Sequence, residues 1–118
     1  MEKKNIDWAA LGFGYHQTDK RYVSYYKDGA WDEGALTEDA NITLNECAGV
    51  FQYAQTCFEG LKAYTTEDGR IVVFRPDLNE ARMHDSCKRL EMPTLPKGRF
   101  VEAVKAVVKA NEAYVPPY

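Results

Sequence analysis

Two Asp-Gly dipeptides, each lying between runs of aromatic and β-branched residues, restrict the fold of this 118-residue chain more than any other feature. They are Asp28-Gly29 and Asp68-Gly69. Asp-Gly between such runs favours the positive φ angles of a tight hairpin turn. The sequence therefore predicts two antiparallel hairpins. Their predicted strands cover about 21–27, 30–36, 61–64 and 71–74.

Three further segments are predicted to be helices, and the first and third of them carry apolar residues at the three- and four-residue steps of a helix face. They cover 43–58, 77–90 and 97–113. The first two open on capping-box patterns, Thr43 with Glu46 and Asp77 with Glu80, which favour helix starts. The third carries a valine stripe opposite its lysines.

The order of these elements predicts the fold class. Hairpins and helices follow one another without short strand-helix-strand alternation, which indicates an α+β fold with an antiparallel sheet built from two hairpins and about three helices. No repeat or linker composition divides the chain, so residues 1–118 are expected to form one domain.

Charge and composition exclude several classes of partner. The net charge is −3, from 15 basic and 18 acidic residues, and gives no electropositive surface for nucleic acid or an anionic membrane. No apolar run approaches a membrane span, and no signal peptide opens the chain, so we expect a cytoplasmic protein. Three cysteines without a C-x-x-C pair predict neither a disulfide framework nor a metal site.

Familiar catalytic patterns are absent as well. His16 and His84 lie far apart without a triad motif, and Gly12-Phe13-Gly14 lacks the third glycine of a dinucleotide fingerprint. Residue spacing alone therefore leaves an unassigned α+β domain.

Two segments are more specific. Residues 58–64 read F-E-G-L-K-A-Y and residues 74–83 read F-R-P-D-L-N-E-A-R-M. Together with Phe13-Gly14 followed by Thr18-Asp19, they resemble the N-terminal small domain of branched-chain aminotransferases, which are fold-type IV enzymes that use pyridoxal phosphate. The resemblance covers essentially the whole chain. It implies the small domain of the D-amino-acid-aminotransferase-like fold, in a homodimer that exchanges leucine, isoleucine or valine with 2-oxoglutarate to give branched-chain 2-oxo acids and glutamate.

The resemblance also implies a cofactor-binding residue. Arg82 matches the family arginine that grips the cofactor phosphate, and a guanidinium suits this task because it forms two parallel charge-assisted hydrogen bonds and stays charged. Glu59 and Lys62 lie in the first motif, but no chemical role is predicted for either.

Three aromatic residues match family positions that line the substrate side-chain pocket. They are Phe13, Tyr53 and Phe58, and their apolar rings suit branched alkyl groups. In homologous dimers, the residue at the position of Tyr53 reaches the partner subunit's site. Each ring could instead belong to the domain core, and Phe58 could serve as core and pocket wall together.

The catalytic lysine of the family lies in a larger C-terminal domain, and no lysine here matches it. We therefore expect no catalytic residue in this chain and no activity from the chain alone. Two alternatives remain open. One is the small domain of a related fold-type IV enzyme, such as a D-amino-acid aminotransferase or an aminodeoxychorismate lyase. The other is a non-catalytic binding or dimerisation module. Such a module should be monodisperse, whereas a small domain separated from the rest of its enzyme should expose apolar surface and self-associate.

Overall fold

The computed structural model describes residues 1–118. Two long helices and six short strands account for most of the regular structure, together with one short helix and two 3-10 turns. In chain order these are a 3-10 turn at Trp8–Ala10, β1 Arg21–Val23, β2 Tyr26–Lys27, β3 Ala30–Trp31, β4 Ala35–Thr37, α1 Gly49–Gln52, β5 Ala63–Thr65, β6 Ile71–Val73, α2 Pro76–Arg89, α3 Arg99–Ala110 and a 3-10 turn at Glu112–Tyr114.

The first predicted hairpin is confirmed. Asp28 and Gly29 have φ angles of 55° and 83°, and both residues occupy the left-handed region that a two-residue turn of this kind needs. β2 pairs with β3 beside the turn, and β1 pairs with β4 further out. Between the two ladders, two residues of one strand face three of the other, which makes a bulge. The Asp32 carboxylate closes this bulge by accepting hydrogen bonds from Ser24 and from two backbone amides.

The second hairpin is also confirmed, with a different turn. β5 and β6 are antiparallel, and the Thr66 amide donates to the Arg70 carbonyl at 2.7 Å. Three residues, 67–69, form the loop, and Gly69 alone is left-handed, with a φ of 84°. This is the three-residue hairpin loop that ends on a left-handed glycine.

The prediction of a helix over residues 43–58 is wrong for most of this range. Only α1 is helical, its N-cap is Ala48 rather than Thr43, and Ala54, just after the helix, has a left-handed φ of 50°. Every second residue after it, namely Gln55, Cys57 and Glu59, makes a side-chain hydrogen bond to α2 or to the residue that follows this helix. A period of two is typical of an extended strand and not of a helix. Contacts with α2 therefore override the local helical pattern.

The other two predicted helices are confirmed as α2 and α3, but their starts differ from the capping-box prediction. α2 begins at Pro76, whose lack of a backbone N–H costs nothing at a first helical position. Asp77 pairs with Arg75 instead of capping the helix. Glu80 turns to α3, where its carboxylate accepts hydrogen bonds from the amides of Gly98 and Phe100 at 3.1 and 3.0 Å.

Asn111 joins the first hairpin to the end of α3. Its side-chain oxygen accepts from the amides of Asp19 and Lys20, and its amide group donates to the carbonyls of Lys20 and Val107. All four bonds measure between 2.9 and 3.0 Å. Burial of this polar side chain is therefore fully compensated.

These elements confirm the α+β class, although the strands form three separate two-stranded ladders and not one sheet built from both hairpins. Packing between them is thin, since only four residues are buried: Cys87, Asn111, Ala113 and Val115. The chain exposes 9193 Å², whereas a folded monomer of this size exposes about 6,500 Å². No helix is both long and apolar enough to cross a membrane.

Candidate functional site

The segment of residues 55–60 runs antiparallel along α2. The Gln55 side chain donates to the Leu90 carbonyl, and four residues later Glu59 contacts Arg82. Eight helical residues span about 12 Å, so the segment advances about 3 Å per residue and is extended. Odd-numbered positions of the segment face the helix and are half-buried, while even-numbered positions are exposed. Helix α2 thus fixes which side chains of the first motif point inward.

Glu59 and Arg82 form an ion pair with two parallel hydrogen bonds. The Arg82 Nε and Nη2 atoms donate to the two carboxylate oxygens at 2.5 and 2.7 Å. Asn79, one turn earlier on α2, donates to the same carboxylate at 2.9 Å. Only 4% of the Glu59 side chain is exposed, against 68% of Arg82. The carboxylate is therefore enclosed, and the guanidinium faces solvent.

Each residue of this pair stabilises the charged form of the other. Hydrogen bonds from Arg82 hold the pKa of Glu59 below its ordinary value, against burial, which raises it. The same bonds raise the pKa of Arg82. Both groups are ionised at neutral pH, and the fork geometry fixes the plane of the guanidinium.

This pairing leaves part of the guanidinium free. Arginine has five N–H donors, and two of those on Arg82 bind Glu59 while the other three have no partner within the chain. They border a shallow surface groove whose lining residues are Phe74, Arg75, Leu78, Asn79 and Arg82. Arg75 is already paired with Asp77 by two hydrogen bonds of 3.0 and 2.8 Å. Arg82 is therefore oriented to receive an anion from solvent without releasing Glu59.

The three predicted pocket residues are all on the surface. Phe13 follows the first 3-10 turn, Tyr53 follows α1, and Phe58 lies on the outward face of the segment beside α2. Each is at least 85% exposed. The core alternative is therefore wrong for all three, including Phe58. No aromatic ring contact joins them to one another.

Sequence reasoning missed the roles of Glu59 and Asn79. Both lie in the two specific motifs, which was a signal of importance, but the register that brings them to Arg82 depends on how residues 55–60 lie on α2. Lys62 is exposed and makes no hydrogen bond. The histidines stay apart: His16 packs edge-on against Tyr114, and His84 lies on α2.

Known aminotransferases resemble this chain along nearly all of its length. It is 49% identical over 115 residues, 98% of the chain, to a branched-chain-amino-acid aminotransferase of Haemophilus influenzae. It is 43% identical over 98% of its length to the enzyme of that name from Helicobacter pylori, and 45% identical over 96% to a methionine aminotransferase of Arabidopsis thaliana.

The chain covers 34%, 34% and 32% of those three proteins, so it spans about a third of the length of its curated relatives. No protein-family model matches it. The relatives define the chain as a homologue of aminotransferases. More narrowly, they confirm its resemblance to the branched-chain aminotransferases.

Proposed function

We propose that this chain is the N-terminal small domain of a pyridoxal-phosphate-dependent branched-chain amino-acid aminotransferase. The full-length protein would transfer the amino group of leucine, isoleucine or valine to 2-oxoglutarate, giving branched-chain 2-oxo acids and glutamate. The observation that carries the proposal is the 49% identity to the Haemophilus influenzae enzyme over 98% of the chain. The geometry around Arg82 supports it independently.

The residues of the site fit a phosphate group. Three unpaired N–H donors on one exposed guanidinium can bind phosphate oxygens, and the enclosed Glu59 keeps that guanidinium in place. Arg82 would thus hold the phosphate of pyridoxal phosphate, while the cofactor ring supplies the electron sink for amino transfer. The lysine that attaches to the cofactor would come from the remainder of the protein, because none in this chain contacts the Arg82 groove.

The exposed aromatic residues support the substrate class. Phe13, Tyr53 and Phe58 present rings to solvent, and such rings bind branched alkyl groups once another surface excludes water from them. In our proposal Phe13 and Phe58 line the substrate pocket, and Tyr53 reaches the site of a second subunit.

The surface area supports a larger assembly. The excess over a compact monomer of this size is about 2,700 Å², slightly more than the roughly 1,000–2,500 Å² that each partner of an obligate interface buries. We propose that the second domain and a second copy of the protein cover this area. A stand-alone module would not expose so much more surface than a compact monomer.

The direct test is an amino-transfer assay on the purified full-length protein. Glutamate formed from 2-oxoglutarate would be measured with leucine, isoleucine, valine, methionine and D-alanine as donors. We expect the three branched-chain donors to have the highest kcat/KM. Preference for methionine would move the protein towards the Arabidopsis relative, and preference for D-alanine towards D-amino-acid aminotransferases. Absence of transfer from every donor would contradict the proposal.

A further inference from the structure

Three sulfur atoms meet where residues 55–60 lie along α2, beside the Glu59–Arg82 pair. The Cys57 thiol donates to the Met83 sulfur at 3.3 Å, and its Sγ atom lies 3.9 Å from the Sγ atom of Cys87. The two cysteines are 30 positions apart in the chain, Cys57 on the segment of residues 55–60 and Cys87 on α2. Both thiols are free in the structure, and neither lines the groove beside Arg82.

We propose that Cys57 and Cys87 are an oxidation site that closes an intramolecular disulfide when a peroxide reacts with the protein. A disulfide needs an S–S distance of about 2.05 Å, so the sulfurs must approach by about 2 Å. Cys57 lies on an irregular segment outside the helices and strands, whereas Cys87 lies within α2, so the approach requires rotation of the Cys57 side chain and a shift of its segment.

The chemistry divides into two steps. Peroxide transfers one oxygen to the Cys57 sulfur, giving a sulfenic acid and one water molecule. The Cys87 sulfur then attacks the Cys57 sulfur, its proton leaves with the hydroxyl group as a second water molecule, and the S–S bond forms. The two thiols lose two electrons in total, and the peroxide gains them.

The surroundings assign the order of the two cysteines. Cys87 is buried, and burial together with the contact to Cys57 raises its pKa to about 11, so it is a poor first target for an oxidant. Cys57 is only partly buried and meets solvent first. Cys47 is exposed but has no thiol beside it, which makes it an internal control.

The bond would fasten the first motif to the helix that carries Arg82. Cys57 is two residues from Glu59, and Cys87 is five residues from Arg82 on α2. Oxidation would therefore prevent the segment from separating from the helix. It would leave the donors of Arg82 that face solvent unchanged, because the sulfurs lie on another part of the contact.

The test is peptide mapping of the full-length protein after hydrogen peroxide treatment and alkylation of the remaining thiols. Chymotrypsin cuts after Phe51 and Tyr53, so Cys47 and Cys57 fall in different peptides. We expect a peptide pair joined through Cys57 and Cys87 that lacks two hydrogen atoms and separates on reduction. Cys47→Ser should keep this product, and Cys57→Ser should abolish it and leave Cys87 alkylated.

Two results would overturn the inference. One is complete alkylation of Cys57 and Cys87 under conditions that oxidise Cys47. The other is Cys57 joined to Cys47 or to a cysteine elsewhere in the protein, in place of Cys87. Mapping of the unmodified protein answers the question without any variant, so a folding defect in Cys57→Ser does not affect the outcome.

Discussion

At the scale of single residues, the Glu59 carboxylate turns an exposed arginine into a fixed one. A lone surface arginine samples many rotamers, and ordering it on a ligand costs free energy. The enclosed carboxylate and the Asn79 amide have already restricted the Arg82 side chain in the free chain. Surface ion pairs are usually weak, but this one has two-point geometry and one partner that is shielded from water.

The first prediction concerns the pKa of Glu59. In Arg82→Ala, burial still raises this pKa while its main opposing hydrogen bonds are lost, so the carboxyl should titrate at higher pH than in the unmodified protein. The measurement is the ¹³C carboxyl shift of Glu59 against pH in the full-length protein. Arg89→Ala is the matched control, because Arg89 ends the same helix and makes no hydrogen bond through its side chain. Equal midpoints in both variants would contradict the ion pair.

This shift also sets the sign of one pH effect on stability. The pKa of Glu59 is lower in the folded chain than its ordinary value of 4.5. The ion pair therefore stabilises the fold fully above that value, and its contribution is lost as the pH falls through the lower pKa of the folded state.

At the scale of elements, helix α3 depends on a cap supplied by another helix. Its N-cap is Gly98, which has no side chain to accept the free amides of the first turn. Glu80 on α2 takes this place, with hydrogen bonds to the amides of Gly98, Phe100 and Val101. Its negative charge also complements the positive end of the α3 dipole.

The second prediction follows from this cap. Glu80→Ala should destabilise the start of α3 by about 1–2 kcal/mol, the usual cost of a lost cap. Amide exchange at residues 98–101 should then accelerate about tenfold. Hydrogen exchange of the full-length protein, read by mass spectrometry, measures this locally. Glu102→Ala is the control, since Glu102 is exposed in the same turn and makes no side-chain hydrogen bond, and equal acceleration in both variants would exclude the cap.

The elements also show what can be read from the sequence. Asp28-Gly29 predicts its hairpin because the turn depends on two φ angles that these residue types favour locally. Helix α3 is equally visible in the sequence because it has its own apolar face. Helix α2 was predicted from Asp77 and Glu80 at its start, although neither residue caps it in the structure. The 43–58 prediction fails because its outcome depends on Gln55, Cys57 and Glu59 finding partners on α2, more than 20 residues away.

The candidate site also contains a residue that the sequence identifies and one that it does not. Arg82 was identifiable through its motif, because that motif carries the resemblance. The role of Glu59 was not, since pairing across 23 positions requires knowledge of the register between the segment and the helix. The outward direction of Phe58 follows from the same register and could not be read from spacing.

At the scale of the whole molecule, the chain is more extended and exposes more surface than a compact domain of its length. Its radius of gyration is 15.9 Å, whereas a compact domain of 118 residues has about 13.5 Å. Large apolar side chains are exposed along its length, including Phe13, Phe58 and Phe74, which are each more than 80% exposed. Such surfaces occur where another protein surface belongs.

The third prediction is that the 118-residue chain, produced alone, self-associates into species of mixed size. The physical reason is the apolar area that no part of the chain covers. Sedimentation velocity over a range of concentrations measures this, and the full-length protein, which should sediment as a single dimeric species, is the control. A monodisperse isolated chain would instead favour a stand-alone binding module.

In the proposed full-length enzyme, Arg82 holds the phosphate of pyridoxal phosphate. The most direct test of this role is the retention of the bound chromophore during gel filtration of the unmodified protein, Arg82→Ala and Arg89→Ala. We expect the unmodified protein and Arg89→Ala to keep the chromophore. Arg82→Ala should lose most of it, because two or more charge-assisted hydrogen bonds are gone. Equal retention in all three proteins would contradict the assignment of Arg82.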